Sequence, residues 1–217
     1  MPKAIRIGTR PSRLAFKQVE EVRDLLKKIR FEVVAIETAG DKDKVTSLAG
    51  LEKTDFFTRD IEKALQDGQI DAAIHSAKDV ETVTPPGLII VATTRSVSPH
   101  ECLVSRNSLK LKELPKGAVV GTSSRKRQEA IMRFRKDLII KNIRGDIDER
   151  LKQLDKGIFD AIIVAHAALI RLGYEDRITE LISPDIIEPH PLQGRLSVQI
   201  RSDRHDMINI FGRINEK

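Results

Sequence analysis

Leu65-Gln66-Asp67-Gly68-Gln69-Ile70-Asp71-Ala72 recurs later in the chain as Leu154-Asp155-Lys156-Gly157-Ile158-Phe159-Asp160-Ala161, with Leu, Gly, Asp and Ala at the same spacing. A second pair, Ile7-Gly8-Thr9 and Val120-Gly121-Thr122, precedes each copy and leads each time to a serine and a helix. The first pattern reads as a helix stopped at glycine and followed by a strand, the second as a strand ending in a tight turn. Strands that alternate with helices form parallel sheets covered by helices. The repeat therefore predicts two α/β domains, with two helix N-termini on opposite walls of one cleft, the plan of a hinged binding protein.

The first copy runs into Ile70-Asp71-Ala72-Ala73-Ile74-His75-Ser76-Ala77-Lys78-Asp79-Val80, a short apolar run that ends abruptly in polar residues. Small and β-branched side chains suit a strand covered on both faces, and ligands of open α/β sheets bind beyond the carboxyl ends of strands. Lys78 and Asp79 are then either a surface ion pair of little worth or, facing a closed cleft, groups that stabilise a developing cation and move protons. His75 and His166 lie in or near apolar strands and read as core or hydrogen-bonded residues.

Composition narrows the classes. A net charge of +6 favours an anionic partner, yet aromatic residues make up only 4% of the chain, so stacking platforms for nucleic acid are scarce and no nucleic-acid partner is expected. No window approaches the roughly 18 apolar residues of a membrane span, and Met1-Pro2-Lys3 passes straight into a strand. A cytoplasmic protein without a membrane partner is expected. Cys102 is the single cysteine and the five histidines are scattered, so neither a disulfide framework nor a metal site is expected. Cys102 itself reads as a small buried residue in an apolar connecting strand.

Along the chain, strands are expected at Ala4–Ile7, Phe31–Thr38, Leu88–Thr93 and Leu138–Ile140. The first helix carries Leu14, Ala15, Val19, Val22, Leu25 and Leu26 on its apolar face, and another covers Phe57–Gln66. Asp41–Asp55 reads as a mobile loop, Val97–Val104 as a segment crossing between domains, and Gln199–Glu216 as a helix.

Gly121-Thr122-Ser123-Ser124-Arg125-Lys126-Arg127-Gln128 is the clearest anion site, because hydroxyls and backbone N–H groups at a helix start meet three cations. The bland reading is a capped, solvated helix; the matching turn with Arg10 and Ser12 in the first half favours binding. Arg144-Gly145-Asp146-Ile147-Asp148-Glu149-Arg150 places Arg144 at a strand end, where a guanidinium fork fits a carboxylate, unless Arg150 simply pairs with Asp146 on its own helix.

Taken together, these motifs resemble the hydroxymethylbilane synthase (porphobilinogen deaminase) family. The resemblance runs from Ile5 to about Arg201 and rests on Arg6–Ala15, His75–Val80, Gly121–Gln128, Arg144-Gly145-Asp146 and Gln193-Gly194. It implies two periplasmic-binding-protein-like domains with mainly parallel sheets, the second inserted in the first, so that residues 1–96 plus 195–217 form domain 1 and 97–194 form domain 2. It also implies an enzyme that joins four porphobilinogen molecules head to tail, with release of ammonia, on a dipyrromethane primer. Matched by position, Asp79 is the catalytic carboxylate, and Arg10, Ser12, Lys78, Thr122, Ser123, Ser124, Lys126, Arg127, Arg144, Arg150 and Gln193 hold substrate and primer carboxylates.

The chain also departs from the family. The third domain, which bears the primer cysteine, is expected to be absent, so the primer is expected not to be attached through Cys102, and a separate chain supplying that domain is a possible partner. Lys126 stands where Arg is usual, and Asp146 and Glu149 are read as adding negative charge to an anion site. Lys53-Thr54-Asp55 replaces a Gly-Lys-Gly segment, so no role is carried to it. The alternative to an enzyme is a two-domain protein that binds a pyrrole polycarboxylate without turnover; a carboxylate at Asp79 gives such a binder nothing.

Overall fold

The computed structural model describes residues 4–27, 29–42, 55–81 and 83–216. In chain order it begins with β1 (Ile5–Thr9), α1 (Arg13–Leu26), β2 (Phe31–Ala35), α2 (Ala39–Lys42), α3 (Arg59–Gln66), β3 (Ala72–Ser76) and β4 (Leu88–Thr93). There follow β5 (Glu101–Ser105), β6 (Val119–Gly121), α4 (Arg125–Phe134), β7 (Ile139–Lys141), α5 (Ile147–Asp155), β8 (Ala161–Ala165), α6 (His166–Leu172) and β9 (Glu180–Ile182), and finally β10 (Leu196–Arg201) and α7 (His205–Phe211). The described residues divide into two compact units, one built from residues up to Val97 and from Gly194 onward, the other from Ser98–Gln193.

The first unit holds a five-stranded sheet in the order β2-β1-β3-β10-β4, and the second a five-stranded sheet in the order β7-β6-β8-β5-β9. The two orders are the same plan. In each, three strands run parallel and a fourth pairs antiparallel on both sides: β10 between β3 and β4, and β5 between β8 and β9. Each sheet is therefore mixed, with four strands running in one direction and one reversed strand among them. An inserted antiparallel strand needs no crossover helix, so the helix–strand alternation of the sequence does not reveal it.

The repeated residues explain the plan. α3 and α5 both stop at a glycine with positive φ, Gly68 at +69° and Gly157 at +73°, whose N–H bonds the Leu65 or Leu154 carbonyl. The repeated aspartates then clamp strand starts. Asp71 accepts from Arg6 N at 3.0 Å and Asp160 from Val119 N at 2.8 Å, while their own amides donate to the carbonyls of the same residues. Gly8 and Gly121 lie where a Cβ would fall 2.2 Å from Ile70 Cδ1 and 2.8 Å from Phe159 Cδ1, so each glycine lets the incoming strand pass close.

α1 buries Ala15, Val19 and Val22 but leaves Leu25 about half exposed, because the buried stripe ends a turn before the helix does. Two other expectations change. Glu101–Ser105 is an inner strand rather than a crossing segment, and the expected helix from Gln199 begins only at His205. Leu196–Arg201 alternates apolar and polar residues at period 2, yet nearly all are buried because helices cover both faces of the sheet. Of the expected loop Asp41–Asp55, Asp41 and Lys42 belong to α2 and Asp55 opens a 3₁₀ turn; residues 43–54, with Lys53 and Thr54, lie outside the described residues.

Candidate active site

Both units place their candidate residues at the carboxyl ends of parallel strands, where N–H groups and side chains project past the sheet. In the first unit, the turn after β1 carries Arg10 and Ser12, and a 3₁₀ turn after β3 carries Lys78 and Asp79. β1 and β3 are neighbours and parallel, so the two turns share one sheet edge. Ser12 caps α1, its Oγ accepting from Ala15 N at 3.2 Å. Gln18 of α1 reaches across to donate to Ser76 Oγ at 2.9 Å, tying the helix to the residue that precedes the charged turn. The backbone N–H of Ala77 donates to the Arg195 carbonyl at 3.0 Å, so the segment returning from the second unit braces the same turn.

Asp79 is exposed at the end of a strand buried along Ala72–His75. Behind it runs a buried polar chain. His75 Nε2 lies 3.1 Å from Gln199 Oε1, and Gln199 Nε2 donates to Glu62 Oε1 at 2.9 Å. A carboxylate oxygen only accepts, so the Gln199 amide turns its NH₂ toward Glu62 and its oxygen toward His75, which assigns the histidine proton to Nε2. Burial pushes the His75 pKa down to about 4, against smaller upward pulls from Gln199 and Asp79. The ring is neutral near pH 7 and leaves the charge at this strand end to Lys78 and Asp79.

Arg10 is held rather than loose. Its Nε donates to Asp41 Oδ1 at 3.0 Å, its Nη2 donates to the same oxygen, and its Cζ lies 4.3 Å from the Phe57 ring centroid. Sequence reasoning missed both partners, since Asp41 falls in a stretch without periodicity and Phe57 reads as a helix residue.

In the second unit, the turns after β6 and β7 are knitted together. Ser123 Oγ donates to the Ile143 carbonyl and accepts from Ile143 N at 3.1 Å. Gln128 Nε2 donates to the Thr122 carbonyl at 2.8 Å and to Asn142 Oδ1 at 2.6 Å. Ser124 caps α4 through Arg127 N. Thr122 is fully buried, and its Oγ1 accepts from Ser124 N at 3.4 Å.

Two of the expected anion ligands have partners inside the unit. The Ser123 hydroxyl proton is committed to a backbone carbonyl, so it shapes the turn instead of donating outward. Arg127 turns inward: Nε and Nη2 form a fork on Glu101 at 2.9 and 2.6 Å, and Nη1 donates to the Ile163 carbonyl at 3.2 Å, with both side chains about nine-tenths buried. A helix start cannot direct three successive cations to one side, and the position facing the sheet finds a buried carboxylate. Lys126 stays outside, its Nζ 3.0 Å from the exposed Glu188.

The acidic pair in the next turn is also reinterpreted. Asp146 and Glu149 form a reciprocal capping box on α5, each carboxylate accepting the other's backbone N–H at 2.8 and 3.0 Å. They are fixed to the helix start as caps. Arg150 donates Nε to the Gly145 carbonyl at 2.8 Å, and Arg144 stands partly buried just before the glycine. Gln193 is buried at the end of the second unit, its N–H bonding the His190 carbonyl.

A family model described as porphobilinogen deaminase, dipyromethane cofactor binding domain, matches residues 5–209. The chain belongs to this family. It is 39% identical over 221 residues to the porphobilinogen deaminase of Pelotomaculum thermopropionicum, covering 100% of this chain and 71% of that one. It is 38% identical to those of Paenibacillus macerans, covering 99% of this chain and 68% of the relative, and of Bacillus subtilis, covering 100% and 71%. Among solved structures, an ancestral cationic amino acid solute binding protein aligns with a TM-score of 0.57 at 15% identity, over 97% of this chain and 87% of that one. A putative methionine-binding lipoprotein from Bacillus subtilis aligns at 0.55 and 13%, over 98% and 90%. These likenesses show a shared periplasmic-binding-protein-like fold.

The family's dipyrromethane can be tested against the residues present. Cations and helix-start N–H groups at the strand ends suit its carboxylates. Cys102 does not suit it as an anchor: it is fully buried in β5, its thiol donates to the Val164 carbonyl at 3.5 Å, and burial pushes its pKa up to about 12. Among the described residues no group of three or more His, Cys, Asp or Glu is placed to hold a metal, and no helix is long and apolar enough to cross a membrane.

Proposed function

We propose that the chain acts as a hydroxymethylbilane synthase-type transferase, joining porphobilinogen units head to tail with release of ammonia in tetrapyrrole biosynthesis. The observation that carries this reading is the exposed carboxylate of Asp79 at the end of the buried strand β3, in a chain that matches enzymes of this name along its whole length. Each substrate brings an acetate and a propionate. Arg10, Ser12, Lys78, Lys126, Arg144 and Arg150 are the groups assigned to them, with the helix-start backbone at Thr122–Ser124 and with Gln193 as neighbours.

The step that needs catalysis is departure of the substrate's amine. The C–N bond breaks, ammonia leaves with the electron pair, and the pyrrole is left as a methylene-pyrrolenine cation. A carboxylate at the pyrrole N–H stabilises that charge more than it stabilises the neutral substrate, which is the condition for lowering the barrier. Asp79 takes this role. When bound, dipyrromethane supplies the primer end to which pyrrole units are joined. Cys102 is the only cysteine of these 217 residues and is unsuited as its anchor, so non-covalent holding, or a thiol carried on a further segment or a separate chain, is part of the proposal, as is a cytoplasmic setting.

The experiment is an assay of the purified chain with porphobilinogen, alone and with preformed hydroxymethylbilane as a source of primer. Asp79→Asn is expected to lower the rate by on the order of 10² or more at unchanged melting temperature. Near-normal turnover in that variant removes Asp79 from the mechanism, and tight binding without turnover in the parent chain favours the binding-protein alternative. Intact mass is expected to be that of the unmodified chain; an increment of two linked pyrroles that vanishes in Cys102→Ala makes Cys102 the anchor after all.

A further inference from the structure

A guanidinium offers a carboxylate two bidentate edges, the side edge of Nε and one Nη, and the end edge of the two Nη nitrogens. At Arg10 the side edge is already taken. Asp41 holds Nε at 3.0 and 3.3 Å and also accepts from Nη2, while Phe57 lies against the guanidinium face. Nη1, on the end edge, has no hydrogen-bond partner among the described residues, and about a third of the Arg10 side chain is exposed.

The holders are themselves held. Asp41 Oδ2 accepts from Thr38 N at 3.1 Å and from Thr38 Oγ1 at 2.7 Å, and its side chain is 13% exposed. Ala39 N donates to Asp60 Oδ2 at 2.9 Å, which fixes the start of α2 to α3. Gly40 packs flat on Phe57, with room for no side chain: a Cβ there would fall 2.1 Å from Phe57 Cε1. Burial pushes the Asp41 pKa up, but the bonds from Arg10 and Thr38 outweigh it and keep the carboxyl below its ordinary value, so it is ionised near pH 7.

We propose that Asp41 and Phe57 are positioning residues that lock the side edge and face of Arg10, leaving its end edge to take a pyrrole carboxylate while Asp41 stays in place. The competing arrangement is that Asp41 is a stand-in carboxylate, displaced when the ligand's own carboxylate arrives. The first makes Asp41 a helper of binding and the second makes it a rival. An arginine locked on two sides has lost its rotamer entropy before the ligand arrives, so the ligand does not bear that cost. The anchoring of Asp41 by Thr38, independent of Arg10, favours a fixture over a gate.

This inference rests on Arg10 binding a carboxylate, so the test separates the two. Porphobilinogen affinity is measured by calorimetry for the parent, Arg10→Leu, Asp41→Asn and the double variant, with KM and kcat followed in parallel. The expected result is roughly tenfold weaker binding in Asp41→Asn, a KM effect larger than the kcat effect, partial rescue by Asp41→Glu, and no further loss on adding Asp41→Asn to Arg10→Leu. Tighter binding in Asp41→Asn overturns the proposal in favour of the stand-in. An equal loss in both backgrounds overturns it in favour of a merely structural role. Unchanged affinity in Arg10→Leu instead removes Arg10 from the site, whatever Asp41 does. Should Asp41→Asn fail to fold, Phe57→Leu, which frees the face of the guanidinium without stranding a charge, is expected to weaken binding severalfold and only when Arg10 is present; no change there also sinks the idea.

Discussion

The two units share a strand order, a glycine-stopped helix and an aspartate clamp, yet their interiors and strand ends solve opposite electrical problems. In the first unit the buried polar groups form the chain Glu62–Gln199–His75, with a neutral histidine at its end, and the charges Lys78 and Asp79 stand outside at the end of β3. In the second unit the corresponding strand, β8, runs straight into α6, whose Ala167, Ala168 and Leu169 are buried. There the charge pair lies inside, as Arg127 on Glu101. A duplicated scaffold thus keeps its backbone devices and diverges where side chains meet solvent or ligand. One unit exposes the carboxylate of Asp79, and the other exposes Lys126 and holds Arg144 and Arg150 partly buried.

The contrast between a buried ion pair and a buried polar chain that ends in a neutral histidine is broken most severely by Arg127→Ala. Removing the guanidinium strands Glu101 in the core of β5, and a loss of about 3–5 kcal/mol in unfolding free energy is expected by urea titration. Replacing both partners, Arg127→Met with Glu101→Leu, is expected to recover most of it. A loss under about 1 kcal/mol for Arg127→Ala would place the pair among ordinary surface bridges.

The neutral histidine of the first unit sharpens the same comparison through pH. Its folded pKa, about 4, lies below the ordinary 6.5, so the unfolded chain binds the proton more readily. The stability it contributes is full above about pH 6.5 and is lost as pH falls toward 4, by up to on the order of 3 kcal/mol. His75→Gln cannot titrate and is expected to flatten stability between pH 7 and 4.5 relative to the parent chain. An unchanged pH profile would mean that His75 titrates alike in the folded and unfolded chain. His166, held by Ser98 at 2.9 Å and also lowered chiefly by burial, contributes a dependence of the same sign that remains in the variant.

The smallest effect separates the two clamps. Asp160 bonds a strand start, whereas Asp71 adds Arg6 Nε and Nη2 and Arg204 Nη1, each at 3.0 Å. Burial pushes the Asp71 carboxyl up, but these donors outweigh it and hold it far below the usual range. Asp71→Ala is therefore expected to cost about 3 kcal/mol and Asp160→Ala about 1–2 kcal/mol. Equal losses would show that the two arginines add nothing to the backbone bond both copies share.

The sequence by itself determined whatever depends on local backbone chemistry. Gly68 and Gly157, the aspartates after them, Gly8 and Gly121, and the caps Ser12 and Ser124 carry their meaning in spacing alone, because a positive φ, a helix cap or a close approach admits few residue types. That was enough to expect two α/β units and to set Arg10, Lys78, Asp79 and Lys126 at strand ends. Only the tertiary structure decided which way each charge faces. Arg125, Lys126 and Arg127 are adjacent cations in sequence, and nothing local says that Arg127 alone finds Glu101, twenty-six residues away. Nor does a local signal tell that Asp41, thirty-one residues from Arg10, holds its guanidinium, or that Leu196–Arg201 enters a sheet antiparallel between β3 and β4. A buried charge or an inserted strand is selected by partners that the fold brings together, and that choice is an energy of the whole assembly rather than of any one segment.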